Sequence, residues 1–156
     1  MLAGFDHVAV LTADLGRFVD FYRDVFGAEV EGGLVEDDVE MVVLRIGPTS
    51  EINVFRIEGN DEAARQTPMF GRGRLDHFAF RAASLEQFDE IRSELLERGC
   101  TDGFVTDFGH VLSVFFRDPE GLELEVCVGN PDAVLDGGLD GFIEAYLRYR
   151  VGDSTE

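Results

Sequence analysis

The chain repeats itself. Phe5-Asp6-His7-Val8-Ala9-Val10 returns as Leu75-Asp76-His77-Phe78-Ala79-Phe80 at an offset of 70 residues. The match runs on without gaps, Ala13 facing Ala83, Leu15 facing Leu85, Phe18 facing Phe88 and Asp20 facing Glu90. A sequence of 156 residues built this way reads as two fused copies of a small unit, each too short to bury much core alone.

Each copy opens on a short β-branched or aromatic run whose alternate residues line one face of a strand, as with Phe5, His7 and Ala9. A helix follows. In the first copy Asp14 caps it, Leu15, Phe18, Val19, Tyr22 and Phe26 recur at helical spacing, and Gly27 ends it. In the second, Ser84 with Gln87 forms a capping box before Leu85, Phe88, Ile91, Leu95 and Leu96, and Gly99 closes the helix. Three strands then follow each helix: Ala28 to Gly33, Val39 to Ile46 and Glu51 to Ile57 in copy one, and Gly103 to Asp107, Val111 to Arg117 and Leu122 to Val128 in copy two. The fold class is therefore α+β, two tandem βαβββ modules in one compact domain. The expected organisation is a first module over 1–57, a linker over 58–73, a second module over 74–129 and an extension over 130–156. In that extension Phe142, Ile143, Tyr146 and Leu147 share one side of a C-terminal helix over Leu139 to Arg150.

Charge narrows the partners. Against 32 acidic residues stand 13 basic ones, every one an Arg, for a net charge of −19. Such a field repels phosphate backbones and anionic lipid, so neither nucleic acid nor a membrane is expected as a partner, and a small molecule is. High solubility is the plainer consequence. Cys100 and Cys127 are too few for a disulfide scaffold, which makes a reducing cytoplasm the expected compartment. No segment approaches the roughly 20 apolar residues of a membrane span, and the start lacks a basic region followed by an apolar run.

The sequence holds three His, and two of them fall at the same place in the two copies. A single His on a strand is most often a satisfied core or surface residue. Duplication shifts that balance, because pseudo-twofold packing of the copies would turn both imidazoles toward one point. A carboxylate comes from the last strand, which leaves the turn Asp118-Pro119-Glu120-Gly121. Leu124, Val126 and Val128 take one face of that strand and Glu123, Glu125 and Cys127 the other. A carboxylate in such an apolar run is costly to bury without a cation, so Glu125 is the ligand candidate, and a solvated face suits Glu123 better. Cys127 reads as structural. Two imidazoles and a carboxylate hold one divalent ion with positions left open; Fe, Mn, Zn, Ni and Co all suit the set, whereas Ca wants oxygen ligands alone. Arg72 and Arg74 lie close enough to His77 in sequence to meet a substrate carboxylate, although Arg beside a linker is usually solvated.

The repeated βαβββ unit, the paired Asp-His openings and the closing Phe116-Arg117-Asp118-Pro119-Glu120-Gly121-Leu122-Glu123-Leu124-Glu125-Val126 together resemble the vicinal oxygen chelate superfamily of glyoxalases, bleomycin-resistance proteins and extradiol dioxygenases, over about residues 4 to 128. The resemblance implies a curved mixed sheet forming a metal cup, with His7, His77 and Glu125 as metal ligands. A fourth family position falls on Asn53, spaced 46 residues from His7 as Glu125 is spaced 48 from His77. Glyoxalase-like members usually carry Glu there, which serves as a proton-shuttling base. Asn takes no proton, though its carbonyl can coordinate, and Glu51 on the same strand face offers a substitute. Extradiol-type members also use a second His near the metal, a catalytic role that only His110 is left to fill beside Glu125. The implied function is a metal-dependent enzyme that chelates vicinal oxygens of a small organic substrate, by isomerase, lyase or dioxygenase chemistry. The alternative is a bleomycin-resistance type binding protein that sequesters a drug or metabolite. Symmetric association, common in that superfamily, makes a homodimer the expected assembly.

Overall fold

The computed structural model describes residues 5–133; the helix expected over Leu139 to Arg150 lies outside them. Two units make up the chain. The first takes in the sequence up to Gly71 together with Asp118–Leu122, and the second Arg72–Arg117 with the chain from Glu123 onward.

In the first unit β1 (His7–Leu11) leads into α1 (Leu15–Phe26), followed by β2 (Glu29–Glu36), β3 (Val39–Ile46) and β4 (Ser50–Ile57). The Asp14 side chain accepts from the Arg17 amide at 3.0 Å and starts the helix. Gly27, at φ 66°, supplies the left-handed residue that stops it. The strands order as β1-β4-β3-β2, with β1 parallel to β4 and the other pairs antiparallel. Ile52, Val54 and Leu44 are buried, as are Phe18, Phe21, Tyr22 and Val25 of the helix that packs on β3 and β4. Phe18 and Tyr22 stack with ring centroids 4.3 Å apart. Burying each such side chain stabilises the unit by about 2–3 kcal/mol before entropy is counted. Alternation leaves Asn53, between Ile52 and Val54, on the opposite face of the sheet.

The second unit repeats the scheme: β5 (Ala79–Arg81), α2 (Leu85–Glu97), β6 (Val105–Asp107), β7 (Val111–Arg117) and β8 (Glu123–Gly129), in the order β5-β8-β7-β6. Ser84 Oγ accepts from the Gln87 amide at 3.1 Å, while Gln87 Oε1 accepts from the Ala83 amide at 2.7 Å rather than from that of Ser84. The core is Leu124, Val126, Val128, Val114 and Phe116 of the sheet with Phe88 and Leu95 of the helix.

The two α+β modules expected from the repeat are both present. Three strand ends differ by more than one residue. β2 runs on to Glu36, because its antiparallel pairing with β3 continues to Val39. β6 starts only at Val105, since Gly103 sits at φ 75°. β5 is three residues long where β1 has five, so His77 precedes its strand instead of opening it. The expected linker holds a short 3-10 turn at Glu62–Ala64.

Candidate metal centre

Register decides which side chains share a face. In the first unit His7 lies opposite Glu51 and Ala9 opposite Asn53, so His7, Glu51 and Asn53 project from the side of the sheet away from α1. In the second unit Ala79 lies opposite Glu125 on one side, and Phe115 and Ser113 lie opposite Glu125 and Cys127 on the other. Asn53 and Glu125 therefore hold equivalent ladder positions, as their spacing from the two His implied.

Around Glu125 the second unit builds a convergent cluster. His77 Nε2 stands 3.3 Å from Glu125 Oε2, and the other ring nitrogen, Nδ1, lies 2.7 Å from Asp76 Oδ2. Glu125 Oε1 accepts from Ser113 Oγ. The Phe115 ring meets the imidazole edge-on, centroids 6.0 Å apart. His77 and Glu125 side chains are 25% and 14% exposed, so the pair is screened but not sealed.

A carboxylate only accepts, and each ring nitrogen faces one; Asp76 is the nearer, so a neutral His77 that keeps its proton on Nδ1 turns a bare Nε2 toward Glu125. In that state a lone pair faces an anion, an arrangement a cation would relieve. Two donors bound to one ion at about 2.1 Å, at angles between square and tetrahedral, stand roughly 3.0–3.4 Å apart, the separation seen here. The hydrogen bond to Glu125 holds the His77 pKa above the ordinary imidazole value, against a lowering by burial, and Asp76 adds to the rise. Burial pushes the Glu125 carboxyl up, but the bonds from His77 and Ser113 outweigh it and leave the pKa below the usual carboxylate value. Burial, with the Glu125 charge behind it, raises the Cys127 thiol, in keeping with a structural role.

In the first unit Asp6 Oδ2 lies 2.9 Å from His7 Nδ1, repeating the Asp76–His77 contact, and the His7 side chain is 45% exposed. Asn53 Oδ1 is buried and has no hydrogen-bond partner among the described residues. An orphaned amide oxygen costs about 1–3 kcal/mol, and a metal ion would satisfy it. Imidazole nitrogen, carboxylate oxygen and amide oxygen are donors suited to a first-row divalent ion. Within either unit, however, no three His, Cys, Asp or Glu side chains among the described residues meet as a ready metal cage.

His110, for which a catalytic role is expected, is not brought to the His77–Glu125 pair within the second unit. His110 is exposed in the turn between β6 and β7, where its carbonyl accepts from the Asn130 amide. Val111 pairs with Gly129 whereas Phe115 pairs with Glu125, which places His110 about 17 Å along the strand from the level of the His77–Glu125 pair. Arg74 is exposed; Arg72 is 10% exposed and bonds to backbone carbonyls rather than facing solvent.

Two residues of the cluster escaped the sequence reading. Asp76 carried a signal, since Asp precedes His in both copies, the pattern of a carboxylate that orients an imidazole. Ser113 carried none: its counterpart across the ladder of the first unit is Met41, opposite Phe55.

Comparison with known proteins identifies the family and the fold. The sequence profile of the Glyoxalase/Bleomycin resistance protein/Dioxygenase superfamily matches residues 4–126. A 2-epi-5-epi-valiolone epimerase from Actinomyces sp. is 28% identical over 140 residues, covering 77% of this chain and 76% of the epimerase. A glyoxylase/bleomycin resistance protein/dioxygenase domain from Frankia sp. EAN1pec superposes with a TM-score of 0.72 at 19% identity, over 83% of this chain and 100% of that domain. A mutant of the fosfomycin resistance protein FosX from Listeria monocytogenes, complexed with Mn(II) and 1S,2S-dihydroxypropylphosphonic acid, superposes with a TM-score of 0.64 at 19% identity, over 84% of this chain and 96% of that one.

Proposed function

Because the chain belongs to the Glyoxalase/Bleomycin resistance protein/Dioxygenase superfamily, we propose that it is a metal-dependent enzyme of the epimerase or isomerase kind, acting on a small organic substrate with neighbouring oxygens. The observation that carries this reading is the approach of His77 Nε2 to Glu125 Oε2 at 3.3 Å, with Asp76 behind the imidazole. The donors proposed for a divalent ion are His77 and Glu125 of the second unit and His7 and Asn53 of the first. When bound, the ion supplies Lewis-acid stabilisation of the negative charge that builds on a chelated oxygen as a neighbouring carbon loses its proton.

The protein's own groups do the rest. Asp76 keeps the His77 proton on Nδ1, and Ser113 fixes the orientation of the Glu125 carboxylate. Asn53 offers an uncharged acceptor that holds no proton, so it cannot serve as the base. Glu51, two residues away on the same face, is the carboxylate proposed to move the proton. The similarity to an epimerase supports this choice of reaction class over oxygen insertion.

The test is metal content after loading purified protein with Mn(II), followed by exchange of substrate C–H for deuterium in D2O. His77→Ala and Glu125→Gln should each lose most of the metal with the fold retained. Glu51→Gln should keep the metal and lose isotope exchange. Full metal occupancy in both His77→Ala and Glu125→Gln would show the site to be elsewhere.

A further inference from the structure

The two copies hold their histidines by different means. In the first unit the ladder reaches His7: His7 pairs with Glu51, and the Asp6 carbonyl accepts from the Glu51 amide at 3.1 Å. In the second, ladder pairing begins only at Ala79, and the next bond back, from the Glu125 amide to the Phe78 carbonyl, is stretched to 3.4 Å. His77 thus lies beyond the end of its strand. Where the first unit has a backbone rung, the second has a side chain. Arg72 Nη1 donates to the Asp76 carbonyl at 2.7 Å and to the Glu123 carbonyl at 3.0 Å. Its Nη2 stands 3.5 Å from Glu123 Oε2. Two carbonyls cannot bond each other; a planar guanidinium laid between them bridges both.

The position of that bridge matters. The Asp76 carbonyl belongs to the peptide plane that ends at the His77 Cα, so fixing its oxygen fixes the base of the imidazole and, on the other side, the carboxylate that holds Nδ1. Glu123 is two residues from Glu125 on the same strand.

We propose that Arg72 is a positioning residue for His77, its guanidinium standing in for missing ladder rungs and setting the imidazole at its distance from Glu125. The consequence for metal affinity rests on the function proposed above; the consequence for the imidazole does not.

The experiment compares Arg72→Met, Arg72→Lys and, as a variant destabilised elsewhere in the same core, Leu95→Ala. It reads Mn(II) affinity by calorimetry and, in the metal-free protein at a pH where the ring is neutral, the nitrogen resonances of the three imidazoles. Arg72→Met should weaken Mn(II) binding by roughly 10–100-fold, the loss typical of removing a group that orients a ligand. It should also change the His77 ring from one proton-on-Nδ1 form to an averaged mixture while His7 keeps its signal. Arg72→Lys should fall between, and Leu95→Ala should lose stability and neither signal. An Arg72→Met protein with the original His77 resonances overturns the proposal, whatever its metal affinity, as does an equal loss of Mn(II) binding in Leu95→Ala. If the parent protein takes up no Mn(II), the metal reading fails and the His77 resonances alone decide the role of Arg72. If Arg72→Met does not fold, Arg72→Lys carries the test, and unchanged His77 resonances there overturn the proposal.

Discussion

Replacing Glu125 by Gln in the metal-free protein should cost stability in a pH-dependent way. The shift on Glu125 is downward, so the stability it confers is present above the ordinary carboxylate pKa and is lost as pH falls through the lowered folded value. The shift on His77 is upward, so its contribution is present below the ordinary imidazole pKa and is lost as pH rises through the raised folded value. Both contributions overlap in mildly acidic solution, near pH 5.5. At a separation of 3.3 Å, opposite unit charges attract by about 5 kcal/mol at an effective dielectric constant of about 20. Desolvation of the two partly buried groups offsets most of that, leaving about 2 kcal/mol, within the range of charge-assisted hydrogen bonds. For a chain of this size that corresponds to a Tm lower by about 4–8 °C. Once the pH has risen through the raised folded value of the imidazole the ion-pair part is gone, so across a series of alkaline buffers the difference should shrink to less than half. Calorimetric melting of both proteins with a chelator, from mildly acidic to alkaline pH, measures this. A Tm difference that stays constant across the series would refute an ion pair between these side chains and reduce Glu125 to its bond with Ser113.

Asn53→Leu should remove a buried acceptor that finds no partner, raising metal-free stability by about 1 kcal/mol while lowering Mn(II) affinity; urea unfolding and calorimetric titration read the two effects, and a loss of stability would contradict the orphaned state of its oxygen. Burial first, and the nearby Glu120 charge, push the Asp118 carboxyl up against the pull of the Leu122 and Glu120 amides. Its ionisation therefore costs stability as pH rises from the ordinary carboxylate range through the raised folded value. Asp118→Asn keeps an acceptor for both amides and should be about 1 kcal/mol more stable at pH 7 but not at pH 3, as thermal melts at the two values will show.

The repeat made most of the fold legible because each helix carries its own start and stop: Asp14 and Gly27 for one, Ser84 and Gly99 for the other. The ladder equivalence of Asn53 and Glu125 was legible for a related reason, since duplicated strands keep their register. What the sequence concealed is the shortness of β5. Leu75–Phe80 reads like Phe5–Val10, and the partners of Arg72 are carbonyls brought to it by tertiary folding, which leave no local pattern. The position of His110 was hidden for another reason. Being the one spare imidazole says nothing of which end of a hairpin it occupies, and pairing of Val111 with Gly129 put it at the far one.

The turn Asp118–Leu122 joins β7 to β8 yet is built into the first unit. Glu120 accepts from Arg17 and Thr12, each at 2.9 Å, and Asp118 Oδ2 receives the Tyr22 hydroxyl at 3.4 Å. A polypeptide cut after Gly71 would leave the Tyr22 hydroxyl and the Thr12 and Arg17 side chains without these carboxylate acceptors, while Asp14 would still cap α1. The first copy is therefore completed by a turn that the second copy encodes.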